Sequence, residues 1–517
     1  MIIEAKPSAP ASPFTGGVGR IALALSGGGF RAAAFHFGTM RALRAVGLFE
    51  DVRVLSTASG GSILGALFVS SVVEGKSFEE FELQLRALLS RNIVAEALDG
   101  LHRGARRKSL IQRAAEVYDG LFKARRLGEL ADDPNLKARV DHVVINATHF
   151  SLGYGFRFTF PARQRARFGN KSVSITPSDG WREIRLADAV AASSCFPAGF
   201  EPLLFPQDFD WRNQPPTVSA SVPYAAEAER SLPLMDGGIH DNQAVDAVLL
   251  IDSATSGSEG AGDDLGLLFC SDTDQKQMPF YAPLRQGFWW KLGRLIPVWF
   301  AAVVLGVASA AAALLGQIGG GGGAAALVLA TLFGAPVALL PLILLKVHRS
   351  VPFHYPQLPR VLLRMTFGDL ASLIAERVHS VLALTTKVFM YRVRALGYEV
   401  ARLKMPNRVV ESHVYDSDLD SSDARSRLVR ERATRARRVE TALWMTNEEQ
   451  HDVIETGHAS AIGALRRYLQ RWRDAGTDFR ADLAYPAALA ERVEIEWSRL
   501  NAPPTDDSSL NPEAVAA

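Results

Sequence analysis

The chain has 517 residues, of which 48% are hydrophobic and 22% are charged, and its formal net charge is +2 at pH 7. This length and composition allow two or three domains with a large buried core, and they exclude a chain that is disordered throughout. A net charge this small gives no reason to expect nucleic acid as a partner. The two cysteines, Cys195 and Cys270, argue against a disulfide scaffold and favour a reducing compartment.

Strand and helix patterns alternate over about the first 275 residues. Apolar runs typical of buried strands occur at 20–26, 52–59, 142–150, 156–160, 232–236 and 265–270. Helical patterns are predicted at 32–47, 62–73, 78–98, 109–122, 186–196 and 242–252. Strands that alternate with helices predict an α/β fold with a mainly parallel sheet.

The first strand is followed by the glycine cluster "SGGGFR", which opens a helix. Gly27, Gly28 and Gly29 allow the backbone to approach a ligand closely and leave N–H groups free at the helix N-terminus. The pattern also fits G-x-G-x-x-A, a loose dinucleotide fingerprint. However, the next strand ends in Ser56-Thr57 where the ribose would need an acidic residue, so nucleotide binding is the weaker alternative. The same N–H groups can stabilise the oxyanion of an acyl transfer.

The second strand is followed by "STASGGS", which has the features of a nucleophile elbow. Ser59 lies between a strand and a helix, and Gly61 is two residues further on. The motif G-x-S-x-G is incomplete because Thr57 occupies the first glycine position. Ser26 and Ser62 are alternative nucleophiles, and a glycine-rich turn without chemistry is a further alternative.

A serine nucleophile needs a base, and the turn "DGGIHDN" offers two candidates. Asp236 follows the strand "LPLM" directly and precedes two glycines. His240 lies in the same turn and would permit a triad. An ordinary turn is the alternative interpretation of this motif.

Together, these three motifs resemble those of the patatin-like phospholipase family. The family has a G-G-G-x-R loop, a G-x-S-x-G elbow about 30 residues later and a D-G-G/A motif further on. This chain has "GGGFR" at 27–31, "TASGG" at 57–61 and "DGG" at 236–238, in that order. The block "ASSCFPAGFEP" at 192–202 is also similar to the family's sequence before its D-G-G motif. The resemblance covers residues 20–272.

The resemblance implies a three-layer α/β/α fold with a mainly parallel central sheet. It implies a lipid acyl hydrolase, similar to phospholipase A or lysophospholipase, that forms an acyl-serine intermediate without a metal or cofactor. Ser59 would be the nucleophile and Asp236 its general base in a dyad. The oxyanion loop would comprise Gly27, Gly28, Gly29 and Arg31, and the elbow and motif glycines would be Gly60, Gly61, Gly237 and Gly238.

Two uncharged runs, Leu295–Ile318 and Ala324–Leu345, are joined by five glycines. Each has about the 20 residues that a membrane-spanning helix needs, so they predict a transmembrane hairpin. Basic residues flank the pair on its outer sides, which places both outer ends in the cytoplasm: Lys291, Arg294, Lys346 and Arg349. A buried soluble hairpin is the alternative.

The predicted organisation is a tail at 1–19, a catalytic domain at 20–285, the hairpin at 286–349, a helical cytoplasmic region at 350–500 and a tail at 501–517. The arginine-rich run at 424–438 predicts a solvated helix face, or one that contacts anionic lipid headgroups. These features favour an enzyme of bacterial type on the cytoplasmic side of the inner membrane, with membrane lipid as substrate. A membrane-anchored binding or signalling protein on a degenerate hydrolase fold is the competing hypothesis, and Thr57 is the residue that favours it.

Overall fold

The structure is a computed structural model that describes residues 17–103, 108–160, 168–170, 173–176, 178, 180–197, 199–213, 215–220, 231–255, 264–273, 297–318, 328, 364–416, 419 and 427–502. These residues fall into two compact units, one formed by residues up to 273 together with 389–502, and the other by residues between 297 and 388.

The strands of the first unit are β1 (Arg20–Leu25), β2 (Val52–Ala58), β3 (His142–His149), β4 (Tyr154–Phe160), β5 (Val173–Thr176), β6 (Leu203–Phe205), β7 (Thr217–Ala220), β8 (Leu232–Asp236), β9 (Leu265–Asp272) and β10 (Val409–His413). Its helices before residue 273 are α1 (Gly29–Ala45), α2 (Gly60–Val73), α3 (Phe78–Leu89), α4 (Ile93–Arg103), α5 (Leu110–Leu121), α6 (Leu127–Asp132), α7 (Pro134–Arg139), α8 (Leu186–Ser193), α9 (Gly238–Asp241) and α10 (Asp246–Thr255). The strand and helix types predicted for this part are confirmed, except that the single stretch 78–98 is divided into α3 and α4.

The main sheet has the strand order β10-β9-β1-β2-β3-β8-β6, and β4 pairs with β3. The five strands from β10 to β3 run parallel, whereas β4, β6 and β8 pair antiparallel with their neighbours. A small second sheet consists of β5 and β7. The predicted α/β fold with a mainly parallel sheet is therefore confirmed.

Both faces of the parallel sheet are covered, and β1 shows this by its alternating side chains. Ile21, Leu23 and Leu25 point into the larger apolar core, together with residues of α1, α2, α3 and α5. Ala22 and Ala24 point into a smaller core on the opposite face, which contains residues of α10. Small residues on this second face allow helices to pack close to the sheet, and the sheet is the middle layer of three.

The C-terminal part of the chain completes this unit. It consists of α13 (Met390–Lys404), β10, α14 (Arg427–Ala436), α15 (Asn447–Ala475) and α16 (Ala487–Leu500). Strand β10 extends the parallel sheet beyond β9, and α13 packs on the smaller core through Tyr398 and Ala401. Helices α1 and α15 cross closely, because a Cβ at Gly38 would lie 2.1 Å from the Ile454 carbonyl oxygen. Residues 389–502 are therefore part of the fold that holds the predicted catalytic motifs.

Most of the predicted arginine-rich segment at 424–438 forms α14, which packs on α15. Arg435 pairs with Asp452 on α15, and Arg427 pairs with Glu431 within α14. Arg430 and Arg438 form no ion pair with the residues that the structure describes. The segment therefore has both a packed and a solvated side, and its predicted lipid contact stays a prediction.

The second unit contains α11 (Val298–Ile318) and α12 (Phe367–Ala383), and a π-helical turn, Leu384–Phe389, follows α12 in the chain. Helix α11 covers most of the first predicted transmembrane run. Within the described part of the chain, however, no helix combines the length and the apolar character needed to cross a membrane. The predicted transmembrane hairpin is thus not confirmed, and its glycine turn and second run lie outside the described residues apart from Val328.

Candidate active site

The strand β3 brings the two predicted catalytic residues together. Strand β4 pairs with one side of β3 along residues 143–149, so β2 and β8 share the other side. There, Ala58 at the end of β2 pairs with Asn146, and Asp236 at the end of β8 pairs with Ala147. Because β2 and β8 run in opposite directions and meet at adjacent residues of β3, Ser59 and Asp236 lie side by side.

Ser59 occupies the sharp turn between β2 and α2. Its φ of 50° and ψ of −118° are rare for a residue with a side chain, and such strained conformations cluster at functional sites. Two glycines make the turn possible. A Cβ at Gly60 would lie 2.0 Å from the carbonyl oxygen of Gly29, and one at Gly61 would lie 2.5 Å from that of Leu25. The turn therefore has the strand–turn–helix geometry of a nucleophile elbow.

The hydroxyl of Ser59 donates a hydrogen bond of 2.6 Å to Oδ2 of Asp236. The other carboxyl oxygen, Oδ1, accepts from the Gly238 amide at 2.8 Å. Burial raises the pKa of Asp236 from its ordinary 3.8 to about 6, against the opposing effect of these two hydrogen bonds. The carboxyl group is therefore ionised at neutral pH, yet it is basic enough to accept a proton from the serine.

The turn after Asp236 packs as closely against neighbouring backbone as the elbow does. A Cβ at Gly237 would lie 2.2 Å from the Asn146 carbonyl oxygen. The Gly237 amide donates to the Ser193 carbonyl, and the Asp236 carbonyl accepts from the Thr148 hydroxyl at 2.8 Å. These contacts explain why small residues follow Asp236, and they fix the backbone from which its carboxyl group projects.

The glycine loop lies directly beside Ser59. A Cβ at Gly27 would be 3.1 Å from Cβ of Ser59. Gly28 and Gly29 have φ values of 138° and 60°, which favour glycine strongly. Among the described residues, no acceptor takes a hydrogen bond from the Gly28 or Gly29 amide. Two N–H groups at the N-terminus of α1 thus have no acceptor among the described residues, in the loop that adjoins Ser59.

A buried histidine, His36, joins the glycine loop to the elbow. Its Nε2 lies 2.9 Å from the carbonyl oxygen of Ser26, which also accepts from the Gly61 amide at 3.2 Å. Its Nδ1 lies 2.7 Å from Oγ of Ser271. Burial lowers the pKa of His36 to about 4, so the ring is neutral, with Nε2 donating to the carbonyl and Nδ1 accepting from the hydroxyl. No sequence motif singles out His36, because a histidine on an apolar helix face has the pattern of a core residue.

The alternative nucleophiles are engaged in structural hydrogen bonds. Ser26 is fully buried, and its hydroxyl donates to the Gly27 carbonyl and accepts from the Thr273 amide. The hydroxyl of Ser62 lies 2.9 Å from that of Thr57 and 2.8 Å from that of Ser193. Within the described part of the chain, neither hydroxyl has a hydrogen bond to a carboxylate.

Thr57, which replaces the first glycine of the elbow motif, is accommodated without displacing the turn. Its hydroxyl lies 2.9 Å from that of Ser62 and donates to the Val144 carbonyl at 3.1 Å. The side chain is fully buried. Thr57 therefore contributes to the hydrogen bonds under the elbow, and it does not distort the Ser59–Asp236 contact.

Arg31 and His240 have other partners. The Arg31 guanidinium donates to the carbonyl oxygens of Val439 and Thr273, so it ties the start of α1 to the C-terminal part of the chain. The ring of His240 contacts the Gly153 carbonyl oxygen at 3.0 Å and Asp246 at 3.5 Å. Neither ring nitrogen of His240 bonds to the described Ser59 or Asp236 side chains, so His240 does not take part in the contact between them.

Other site features bear on ligands. Within the described ranges, no group of three or more His, Cys, Asp or Glu side chains is arranged to hold a metal ion. A cleft of about 940 Å³ lies between α13, β10 and α15, but Ser59 and Asp236 do not line it. Both catalytic candidates are nearly closed off from solvent, at 7% and 6% exposure.

Comparison with known proteins agrees with this geometry. Residues 23–249 match the family model described as Patatin-like phospholipase. No curated protein matches the chain. The matched residues include the glycine loop, the elbow and the Asp236 turn, and the match supports a lipid acyl hydrolase activity in general. Residues 23–249 are thus similar to the patatin-like phospholipase family.

Proposed function

We propose that this chain hydrolyses acyl esters of lipids through an acyl-serine intermediate on Ser59, with Asp236 as the general base. The observation that carries this proposal is the hydrogen bond of 2.6 Å from the Ser59 hydroxyl to the Asp236 carboxylate at the end of two adjoining strands. A strained elbow serine next to a buried, partly basic carboxylate fits a nucleophile with its base.

In the first half of the reaction, Oγ of Ser59 attacks the ester carbonyl carbon while Oδ2 of Asp236 takes the hydroxyl proton. The carbonyl electron pair moves onto the oxygen, and in this proposal the amide groups of Gly28 and Gly29 stabilise the resulting negative charge. Removing one such donor from an oxyanion hole typically lowers kcat by about 10²–10³-fold. When the tetrahedral intermediate collapses, the C–O bond breaks and the alcohol leaves with the proton from Asp236.

In the second half, water repeats these steps on the acyl-serine. Asp236 takes a proton from water, the hydroxide attacks the acyl carbon, and Ser59 leaves with the proton that Asp236 returns. The products are a carboxylic acid and the free enzyme. No step uses a third catalytic residue, which is consistent with the positions of His240 and Arg31 away from the dyad.

The proposed substrates are the acyl esters of membrane phospholipids and lysophospholipids, as in phospholipase A and lysophospholipase reactions. The family match supports lipid substrates as a class. Incubation with phosphatidylcholine vesicles and with lysophosphatidylcholine micelles, followed by mass spectrometry of released fatty acids, separates the two activities.

Labelling with a fluorophosphonate tests the nucleophile directly. Wild-type protein should be labelled, Ser59→Ala should not, and Asp236→Asn should react at least 100-fold more slowly because the serine has lost its base. Ser62→Ala is the matched control, because Ser62 lies three residues after Ser59 in α2, and this variant should keep the label. Loss of the label in Ser26→Ala but not in Ser59→Ala would move the nucleophile.

A degenerate hydrolase that only binds a partner or lipid is the competing function. Folded wild-type protein that reacts with no fluorophosphonate and releases no fatty acid would favour it. His240→Ala separates the dyad from a triad, because it should leave the labelling rate unchanged if Asp236 alone is the base.

The cellular location is a separate part of this proposal, and only the sequence supports it. The two uncharged runs with basic outer flanks favour attachment to the inner membrane with the catalytic unit in the cytoplasm. Extraction of membranes with sodium carbonate should leave the chain in the pellet, and a protease added from the cytoplasmic side should not cut the glycine turn. Release into the supernatant would reject this location.

A further inference from the structure

Helix α13 lies outside the matched residues 23–249, yet one of its faces contacts residues 238–243, which follow Asp236 in the chain. Met390 Cε would lie 3.1 Å from a Cβ at Gly238, the second residue after Asp236. One turn further on, Arg394 contacts Asn242. A Cβ at Gly397 would lie 3.0 Å from the side-chain oxygen of Gln243. The spacing of these three α13 residues places them on one side of the helix.

The contact between Arg394 and Asn242 is specific. The side-chain oxygen of Asn242 accepts from Nη2 of Arg394 at 2.7 Å and from Nε at 2.9 Å. Two parallel donors from a planar guanidinium fix both the position and the orientation of the acceptor. The amide nitrogen of Asn242 therefore points away from Arg394.

Asn242 lies between the two halves of the catalytic site. Its backbone carbonyl accepts from the Gly27 amide at 2.9 Å. The terminal atom of its side chain that faces away from Arg394 would be 2.6 Å from a Cβ at Gly27 and 2.5 Å from a Cβ at Gly238. The Cβ position at Gly27 is 3.1 Å from Cβ of Ser59, and the Cβ position at Gly238 is 3.0 Å from Oδ1 of Asp236. The Asn242 side chain thus lies between the glycine loop and the Asp236 turn and sets the distance between them.

Arg394 is held in turn by a buried acid at the end of β9. Its Nη2 is 3.8 Å from Oδ1 of Asp272, and Oδ2 of Asp272 accepts from the Tyr398 hydroxyl at 2.9 Å. Asp272 is fully buried, and the Arg394 side chain is 15% exposed. A charge and its partner that are withdrawn from solvent in this way restrict each other's movement more than a surface pair would.

We propose that Arg394 and Asn242 are a positioning pair for acyl transfer: Arg394 orients the Asn242 amide, and Asn242 sets the distance between the glycine loop and the Asp236 turn. This inference rests on the proposed function. It extends the catalytic machinery to Arg394, although this residue lies beyond the family match.

Steady-state kinetics of the full chain on a soluble p-nitrophenyl ester test the pair. Misplacing reacting groups by about 1 Å is worth about 100-fold in rate, so Asn242→Ala and Arg394→Ala should each lower kcat by about that factor with KM nearly unchanged. Arg402→Ala is the matched control on the same helix, because Arg402 pairs with Glu411 and its side chain is 59% exposed. It should keep wild-type kcat.

Chemical rescue separates positioning from a general loss of structure. Guanidinium chloride at low millimolar concentration should restore kcat in Arg394→Ala, because it offers the same two parallel donors. Methylammonium should not, and neither cation should rescue Asn242→Ala. If Arg394→Ala does not fold, Arg394→Lys keeps the charge without the double donor and should show the same loss of kcat.

One result would reject the positioning pair, and a different result would reject the proposed function on which it rests. Equal kcat in Arg394→Ala and Arg402→Ala, with wild type labelled at Ser59, would reject the positioning pair alone. Wild-type protein without fluorophosphonate labelling would reject the proposed function, and the role of the pair with it.

Discussion

Replacement of the buried base, Asp236→Asn, should make the protein more stable at neutral pH while it abolishes activity. Asp236 is 6% exposed, and burial raises its pKa from 3.8 to about 6. An ionised carboxylate is therefore less favourable in the folded chain than in the unfolded chain. Asparagine has nearly the same shape and keeps both contacts, because its amide can donate to Ser59 and its oxygen can accept from Gly238.

The magnitude follows from the linkage between proton binding and folding. Because the pKa of Asp236 is raised in the folded state, its favourable contribution is fully present below pH 3.8 and is lost as the pH rises through about 6. The raised pKa of Asp236 lowers the free energy of unfolding by about 3 kcal/mol at pH 8 and by roughly 0.5 kcal/mol at pH 4. The stability advantage of Asp236→Asn over wild type should therefore grow by about 2.5 kcal/mol between these two pH values.

Urea unfolding followed by tryptophan fluorescence, for both proteins at pH 4 and pH 8, measures this difference. Other titrating groups change the stability of both proteins alike, so they cancel in the comparison. Asp246→Asn is a control with the opposite sign, because His240 and Arg157 lower the pKa of Asp246 and its ionised form stabilises the fold. A stability difference for Asp236→Asn that does not change with pH would refute the reasoning.

Further predictions concern the same site. For wild type, kcat/KM should fall tenfold per pH unit below about pH 6, where Asp236 becomes protonated and can no longer act as a base; an acid limb near pH 4 would contradict the burial argument. Asn242→Asp should move this limb to higher pH, since a second carboxyl group nearby disfavours ionisation of Asp236, and an unchanged limb would place residue 242 further from the base. Gly60→Ala should destabilise the fold by about 3 kcal/mol or prevent folding, because its Cβ would meet the Gly29 oxygen at 2.0 Å. Gly120→Ala, in open space on a helix, should instead add about 0.5–1 kcal/mol to the free energy of unfolding in the same urea titration.

The local part of the fold could be predicted from the sequence because its signals are local. Each of β1 and β2 is an apolar run that ends in small residues and is followed by a helical pattern, and the structure has strand, turn and helix at those positions. The positive φ of Ser59 and the close contacts of Gly60 explain why the elbow needs those residue types.

The meeting of Ser59 and Asp236 could not be derived from periodicity, because it depends on a register between distant strands. Only the pairing of Asn146 with Ala58, and of Ala147 with Asp236, brings the ends of β2 and β8 together. The sequence suggested the two residues through motifs, and those motifs carry no information about the strand between them.

The contributions of the C-terminal part were missed for a related reason. The segment that contains β10 is short and has mixed polarity, so it gives no clear strand pattern, and its partner β9 is more than 130 residues earlier in the chain. Arg394 lies in a helix rich in basic residues, where a solvated face is the usual interpretation. Its contact with Asn242 exists only because β10 and α13 pack beside β9 and the smaller core.

The C-terminal segment also holds the glycine loop in shape. The Ala442 carbonyl accepts from the Phe30 amide at 2.8 Å and would lie 2.6 Å from a Cβ at Gly29. This carbonyl therefore takes up one N–H group at the start of α1, next to the Gly28 and Gly29 amides that we assign to the oxyanion. Because Arg31 binds the Val439 carbonyl in the same segment, residues outside the matched range also hold the loop in place. The unit to which we assign the proposed acyl transfer is for this reason larger than the residues that match the family.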